Sequence, residues 1–218
     1  SLVGTGVTRF AFTIWAWQVT GTATALALVG FFSFTPAILI SPIAGALIDR
    51  WDRRRAMMLS DFAAVAVTIV VLFLFNTGQL EVWHLYITGA VTGFFGAFQF
   101  PAYSATVTLM VEKEQYGRAS GLLSMAQFGS NIVSPIIAAL ALPLIGIGGI
   151  LVIDIITFCV ALFTLLFVIF PRPSISKVGK TSRGSLWAES FFGFQYIKAR
   201  PSLLGLQLIF FTLNLVIN

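Results

Sequence analysis

Charged residues are scarce in this chain, making up 10% of its 218 residues against 58% for apolar residues. A water-soluble domain of this size cannot keep so many apolar side chains off its surface, so the composition excludes a soluble protein. The sequence therefore indicates an integral membrane protein. Polar groups in such a protein are expected at the membrane surfaces, in water-filled cavities or between helices.

Cysteine and histidine each occur only once, as Cys159 and His84. One cysteine excludes an internal disulfide, and the two residues offer no metal cluster, so we expect neither a metal nor a cofactor. Motifs for a nucleophile or a phosphate-binding loop are also missing, which disfavours an intramembrane enzyme. The absence of a charged ring or a carbonyl filter disfavours a channel. We interpret His84 as an interfacial residue, with a proton relay as the alternative.

Apolar windows predict six transmembrane helices, each near or above the roughly 20 residues needed to cross a bilayer. They cover residues 2–20, 23–48, 55–76, 82–110, 118–145 and 149–170, and a seventh begins near residue 203. Short turn-forming segments separate them, so neighbouring helices should run antiparallel. The predicted fold class is an all-α membrane protein, with a six-helix bundle over residues 1–170.

The distribution of lysine and arginine predicts the topology. Except for Arg9, these residues fall in the second connection, the fourth connection or the segment after residue 170. This asymmetry places the N-terminus, connections two and four and residues 171–200 in the cytoplasm. It also argues against nucleic acid as a partner, because the net charge of +5 lies in short loops rather than on one face. Trp15, Trp17, Trp83 and His84 should then lie at the outer interface.

One segment concentrates charge between two apolar runs. It reads Gly-Ala-Leu-Ile-Asp-Arg-Trp-Asp-Arg-Arg-Arg over residues 45–55. It resembles the loop between helices two and three of the major facilitator superfamily of secondary transporters, Gly-x-Leu-Ala-Asp-Arg-x-Gly-Arg-Arg, with Asp52 where the family usually has Gly. The resemblance implies a conformational-switch loop that holds the cytoplasmic side closed, carried by Gly45, Asp49, Arg50, Arg53 and Arg54. The alternative is a cytoplasmic loop that simply collects arginine.

The segment after residue 170 resembles the connector between the two six-helix halves of the same superfamily. Trp187, Phe191, Phe194 and Ile197 share one helical face, which predicts a short helix in the membrane interface. The resemblance implies a cytoplasmic linker over residues 171–202 and the start of helix seven at 203–218. The chain would then be the N-terminal half of a twelve-helix transporter whose second half is absent.

A weak internal repeat agrees with this fold. Residues 41–47 read Ser-Pro-Ile-Ala-Gly-Ala-Leu, and residues 134–140 read Ser-Pro-Ile-Ile-Ala-Ala-Leu. The first copy lies at the cytoplasmic end of its helix and the second toward the outer end, as inverted three-helix repeats require. Chance is the alternative, because Ser-Pro pairs are common in membrane helices.

The order of features along the chain resembles the exporter branch that includes enterobactin and macrolide efflux proteins. Its elements here are residues 19–26, Ser-Pro-x-Ala-Gly at 41–45, the arginine-rich loop, Pro-Ala-Tyr at 101–103 and Ile-Asp at 153–154. The resemblance implies proton-driven export of an amphipathic small molecule, such as a drug or siderophore, by alternating access in a bacterial inner membrane. Membrane lipids would be further partners. A lysophospholipid transporter or flippase on the same scaffold is the alternative.

Polar and aromatic side chains at helical spacing on helices one, four and five mark a candidate substrate pathway. In the family, helices one and four line the cavity of this half. The alternative is hydrogen bonding between helices, which we favour for the serines of helix five. The pathway candidates are Arg9, Phe12, Thr13, Thr92, Phe95, Gln99, Tyr103, Gln127 and Asn131.

Arg9 stands out because arginine at mid-helix costs about 2.5–3.5 kcal/mol even on lenient insertion scales. It should therefore face water or an acid. We expect an ion pair with Asp154 of helix six, which makes Asp154 the coupling candidate, with a structural acid near the headgroups as the alternative. Asp61 of helix three is expected to support the arginine-rich loop.

Helix five resembles the Gly-Pro-x-x-Gly-Gly signature of antiporters in the superfamily. Here Ser134, Ala138 and Ala139 replace its glycines around Pro135. Small residues around a proline let helices approach closely, so Pro135, Ala138 and Ala139 are predicted to pack against a neighbouring helix.

Overall fold

The computed structural model describes residues 2–167 and 197–217, and these residues form helices joined by short connections. In chain order the helices are α1 (Leu2–Thr20), α2 (Ala23–Arg50), α3 (Arg53–Asn76) and α4 (Val82–Met110), followed by a 3-10 turn at Lys113–Gln115 and a helical segment over Tyr116–Phe167. Gly146 breaks that segment with φ 64° and ψ −178°, so we divide it into α5 (116–145) and α6 (147–167). The last helix, α7, is Pro201–Ile217.

The six predicted helices are therefore present, and their starts and ends agree to within about two or three residues for all described boundaries. Three of the turns depend on glycine. Gly21, Gly78 and Gly146 adopt φ of 63°, 68° and 64°, a left-handed conformation that side chains disfavour. The predicted end of helix six and the linker with its amphipathic helix fall largely on residues 168–196, outside the described residues.

Three stretches are long and apolar enough to cross a membrane by length and composition. They are Ala23–Gly45, Arg53–Asn76 and Lys113–Phe167. Because Gly146 interrupts the third, that stretch supplies two crossings of ordinary length. The helices α1 and α4, with 19 and 29 residues, complete the six-helix set.

The bundle has two ends, which we name by their connections. The arginine end carries residues 51–52 and 111–115, and the opposite end carries residues 21–22, 77–81 and Gly146. A buried apolar cluster fills each end. At the arginine end the buried members are Ala44, Ile48, Ala56, Met57, Phe98 and Ala102. At the opposite end they are Ala16, Val29, Val71, Leu85, Ile147 and Leu151.

A shift of 93 residues relates the first three helices to the next three. It takes the start of α2 at residue 23 to the start of α5 at 116, and the start of α3 at 53 to the break at 146. It also takes the repeat at 41–47 to 134–140. Equivalent helices begin at different ends of the bundle, so the repeat is inverted. The packing agrees, because α2 packs on α4 as α1 packs on the segment that contains α5.

Candidate coupling and substrate site

Asp154 is a buried acid at the junction of α1 and α6. Its side chain is 2% exposed, and its Oδ1 atom is buried without a hydrogen-bond partner among the described residues. Eight residues separate Asp154 from the break at Gly146, which places it about 12 Å from the opposite end at 1.5 Å per residue. The carboxyl group therefore lies inside the membrane-spanning part of the bundle.

Helix α1 reaches this carboxyl group through Gly4. A methyl group at Gly4 would lie 2.9 Å from Asp154 Oδ1 and 2.7 Å from Thr157 Oγ1, so a glycine is needed for the helices to approach this closely. Thr8, one turn further along α1, is the polar neighbour of Asp154. The Thr8 hydroxyl is also buried and has no partner of standard hydrogen-bond geometry among the described residues. Thr8 therefore lies close enough to interact with the Asp154 carboxyl group, although no hydrogen bond of standard geometry reaches Oδ1.

Asp61 is the counterpart of Asp154 in the first repeat. The shift of 93 residues takes position 61 to position 154, and both are aspartate. Asp61 lies eight residues into α3 from Arg53, or about 12 Å from the arginine end. Its Oδ1 atom accepts a hydrogen bond of 2.7 Å from Gln99 Nε2 on α4. The repeat therefore carries two equivalent acids, of which one is partnered by an amide.

This arrangement corrects the expectation for Asp61. Among the described residues it makes no contact with the arginines of the loop, because its carboxyl group is occupied by Gln99 a helix away. The same hydrogen bond defines the contact made by the Gln99 side chain. The amide of this pathway candidate is half-buried and satisfies a buried acid, which is a packing contact between α3 and α4.

The expected ion pair between Arg9 and Asp154 is not formed. Arg9 is exposed, and its guanidinium carbon lies 5.5 Å from the centre of the Phe34 ring on α2. Asp154 instead faces Gly4 and Thr8 on another side of α1. Adjacent residues of a helix point about 100° apart, so Thr8 and Arg9 face different neighbours. The guanidinium is held by a cation–π contact to Phe34 rather than by an acid.

The arginine-rich loop ties three helices together at one end of the bundle. Arg53 Nη1 donates to Ala105 O on α4 at 2.8 Å, and Arg54 Nη2 donates to Leu166 O on α6 at 2.7 Å. These two bonds connect the start of α3 to α4 and α6. Gly45 is half-buried, and nothing outside its own helix backbone lies within 4 Å of where a methyl group at this position would stand. The side chains of Asp49 and Arg50 lie outside the described part of the structure.

Asp52, which replaces the family's glycine, caps α3. Its Oδ1 atom accepts hydrogen bonds from the backbone N–H groups of Arg54 and Arg55 at 2.9 and 3.4 Å. Its φ is −68°, so this turn does not require a glycine. An aspartate is a favoured N-cap residue, which explains why the replacement is compatible with the loop.

The remaining pathway candidates divide into half-buried and exposed groups. Thr13 and Thr92 are half-buried, and their hydroxyl groups donate to their own helices, at Arg9 O and Thr88 O. Phe12 packs against the cluster at the opposite end. Phe95 is half-buried beside Phe94, with ring centres 5.3 Å apart. The exposed candidates are Tyr103 on α4 and Gln127 and Asn131 on α5.

The interface between α1 and α5 is built from small residues. Ser134 is 1% exposed and its hydroxyl donates to Val3 O at 3.2 Å. A methyl group at Gly6 would collide with the Ser134 side chain. Ala138 is fully buried with Val7, whereas Pro135 is half-buried and Ala139 is exposed. Close approach at this interface therefore depends on both a glycine and a serine.

His84 takes part in the start of α4 at the opposite end. Its Nδ1 atom accepts a hydrogen bond from Glu81 N at 3.0 Å, and its ring stacks on Trp83 with centres 3.7 Å apart. The Trp83 indole donates to Glu81 Oε2 at 2.7 Å. These contacts cap a helix, which is a structural use of the histidine.

Sequence reasoning missed Gly4, Gly6 and the equivalence of the two acids. The signal for the acids was available, because the spacing of the Ser-Pro repeat also separates Asp61 from Asp154. The two glycines carry no comparable signal. A glycine in an apolar run does not show which neighbour approaches it.

The comparisons with known proteins agree with this architecture. Residues 1–218 match the protein-family model described as Major Facilitator Superfamily. Macrolide efflux protein A of Streptococcus pyogenes is 29% identical over 172 residues, which cover 79% of this chain and 42% of that protein. Macrolide efflux protein A of Enterococcus faecalis is 31% identical over 152 residues, covering 70% and 47%. The MFS-type transporter YkuC of Bacillus subtilis, described as uncharacterized, is 31% identical over 128 residues, covering 58% and 29%.

The chain thus spans less than half the length of the curated relatives that it matches.

Proposed function

The chain belongs to the major facilitator superfamily of membrane transporters, and on this premise we propose that it forms the N-terminal half of a proton-coupled exporter. The cargo would be an amphipathic small molecule, moved by alternating access between this half and a second six-helix half. Relatives named for macrolide efflux support export over the lysophospholipid alternative. The proposed location is a bacterial inner membrane, with the arginine end in the cytoplasm.

The proposal rests on the burial and the hydrogen bonding of the Asp154 carboxyl group. Its carboxyl group is buried within the membrane-spanning region, and its Oδ1 atom has no hydrogen-bond partner among the described residues. Acids at this depth are rare and serve ion pathways and proton relays. Asp154 also lies between α1 and α6, so a movement of either helix changes its surroundings. We assign the coupling role to Asp154 alone, since Asp61 is occupied by Gln99.

The substrate pathway in this proposal runs along α1 and α4. Arg9 is exposed and free of an acidic partner among the described residues, so it is available to an anionic group of a substrate or to a group of the second half. Phe12, Thr13, Thr92, Phe95 and Tyr103 would contribute the remaining surface. Gln127 and Asn131 on α5 would face the second half or the cavity, because both are exposed in this half.

The arginine-rich loop would act as the conformational switch. Arg53 and Arg54 connect α3 to α4 and α6 within this half through hydrogen bonds to Ala105 O and Leu166 O. The resemblance implies that the acid and arginines of this loop would also contact the second half. Closing and opening of the cytoplasmic side would then shift with contacts made at this end of the bundle.

The experiment is a transport assay on the full-length protein in proteoliposomes. A panel containing a macrolide, a siderophore and a labelled lysophospholipid is tested with and without an imposed pH gradient. The proposal expects gradient-dependent movement of the macrolide or siderophore. Movement of lysophospholipid alone, or no response to the gradient for any compound, would reject the proposed exporter.

A further inference from the structure

The first two turns of α1, residues 2–8, pack over the Asp154 carboxyl group. A methyl group at Gly4 would stand 2.9 Å from Asp154 Oδ1, and Thr8 is the polar neighbour on the next turn. The side chain of Asp154 is 2% exposed and that of Thr8 is 6% exposed. Proton transfer needs a partner within hydrogen-bond reach, so the carboxyl group cannot pass a proton to bulk water while α1 stays in this position.

The contact of α1 with this carboxyl group is not fastened at the atoms that meet. Asp154 Oδ1 and the Thr8 hydroxyl both lack a hydrogen-bond partner of standard geometry among the described residues. The same part of α1 is held to α5, because the Ser134 hydroxyl donates to Val3 O at 3.2 Å. Parting α1 from α6 therefore breaks no hydrogen bond to Asp154 Oδ1 or to the Thr8 hydroxyl, while α5 still holds the helix.

The first repeat fastens its equivalent acid. Asp61 Oδ1 accepts a hydrogen bond of 2.7 Å from Gln99 Nε2 on α4. The shift of 93 residues takes Gln99 to Gly6 on α1, which has no side chain to donate such a bond. Parting α4 from α3 would leave a buried carboxyl group without its donor, which is costly. Of the two equivalent contacts, the one that α1 makes is therefore the easier to open.

We propose that residues 2–8 of α1 are a cover over Asp154, and that α1 must part from α6 before the carboxyl group can exchange its proton with water. The inference rests on the proposed function, because it states how the proton of the coupling acid is held and released. Packed helices can slide or tilt past one another by small amounts. The movement lies within this half, between one helix and its neighbour, and so differs from a rotation of two rigid halves.

Asp154 is the one ionisable side chain among the described residues that line the groove between α1, α5 and α6. On these helices, Arg9 lies against Phe34 of α2, and Cys159 is exposed. Tyr116 and Arg118 lie at the start of α5, at the arginine end. The ionisable groups of α3 lie beside Gln99 or at the arginine end. A proton exchanged beneath the cover therefore belongs to Asp154.

A reversible cross-link tests the cover. A Cβ atom at position 4 would lie 3.7 Å from Thr157 Cβ, close to the mean of about 3.8 Å across a disulfide. Gly4→Cys with Thr157→Cys, in the full-length protein without other cysteines, should form a disulfide with copper phenanthroline that holds α1 on α6. Dithiothreitol should release it.

Dicyclohexylcarbodiimide is the probe, because it modifies protonated carboxyl groups in apolar surroundings. Its yield on Asp154 is measured by mass spectrometry. Oxidation should lower this yield at least about tenfold, since the lock removes the parted arrangement that the reagent needs, and reduction should restore it. The yield on Asp61 in the same samples is the internal reference and should not change with oxidation.

Gly4→Ala tests the opposite direction. The added methyl group meets Asp154 Oδ1 and Thr157 Oγ1, so the cover cannot close fully. The yield on Asp154 should rise about fivefold or more, because the overpacked contact favours the parted arrangement. Gly129→Ala on α5, where nothing lies within 4 Å of the added methyl group, is the matched control and should label like the wild type.

Three results overturn the proposal. They are failure of the two cysteines to cross-link, an unchanged yield on Asp154 after oxidation, and equal yields in the Gly4 and Gly129 variants. Export is scored separately in the same preparations. If labelling follows the lock but no preparation exports any compound, the proposed function fails and the cover stands. If the oxidised protein exports as well as the reduced protein, the cover fails and the proposed function stands.

Discussion

Gln99 Nε2 on α4 donates a hydrogen bond of 2.7 Å to Asp61 Oδ1 on α3. This bond gives the buried carboxyl group of Asp61 a hydrogen-bond partner. The inverted repeat places a second acid, Asp154, at an equivalent depth. The other acid, Asp154, keeps a buried oxygen without a described partner. Asp61 thus connects two helices through a hydrogen bond, whereas the functional role of Asp154 is the part of the proposal to be tested.

The Asp61–Gln99 bond should stabilise the bundle. Gln99→Ala leaves the buried carboxyl group without its donor and should lower the free energy of unfolding by about 1–3 kcal/mol. Thermal unfolding in detergent measures the effect, with Gln127→Ala at an exposed position of α5 as the control. Asp61→Ala with Gln99→Ala should then cost less than the sum of the single changes, because either change alone removes the bond. Additive effects would show that the two side chains do not interact.

The contact of α1 with α5 should depend on Gly6. Gly6→Ala places a methyl group against the Ser134 side chain, and such overpacking costs about 1–3 kcal/mol. Ser134→Gly in the same protein should restore most of the loss. Gly121→Ala on α5, where nothing lies within 4 Å of the added methyl, should be neutral or stabilising. Equal melting temperatures for the Gly6 and Gly121 variants would contradict this packing.

Arg54 and Arg55 should differ in how much they contribute to the stability of the bundle. Arg54→Ala removes the donor to Leu166 O and should lower the free energy of unfolding by about 1–2 kcal/mol, because the hydrogen bond between α3 and α6 is lost. Arg55 is exposed, and its contact to Asp52 uses only its backbone N–H, so Arg55→Ala should have little effect. Resistance to limited trypsin digestion and the melting temperature measure both. A larger loss for Arg55→Ala would reverse the assignment.

The arginine end should face the cytoplasm. In a Cys159→Ser background, a membrane-impermeant thiol reagent applied to intact cells should label Gln79→Cys and leave Glu114→Cys unlabelled. Both positions are exposed in connections at different ends of the bundle. Permeabilised cells provide the control, since both cysteines should then react. Labelling of Glu114→Cys alone in intact cells would mean that the topology is inverted.

The fold was predictable because apolar runs, short turns and the asymmetry of basic residues each carry a local signal. The glycines at the helix breaks, Gly21, Gly78 and Gly146, lie within the predicted connections. Side-chain partners were less predictable. Arg9 and Asp154 are both charged residues in apolar helices, which made an ion pair between them a reasonable prediction. The sequence does not fix how α1 is rotated about its axis, and in the structure Thr8 faces α6 whereas Arg9 faces α2. The Asp61–Gln99 contact likewise depends on how α3 and α4 are packed.

The most direct test of the account is ethidium transport by the full-length protein in proteoliposomes under an imposed pH gradient. We predict that the wild type and Asp61→Asn concentrate ethidium in response to the gradient, and that Asp154→Asn loses this response. The prediction follows because the Oδ1 atom of Asp154 is buried without a hydrogen-bond partner among the described residues, whereas that of Asp61 accepts a bond from Gln99. Gradient-driven accumulation of ethidium by Asp154→Asn at the wild-type level would contradict the assignment of coupling to Asp154.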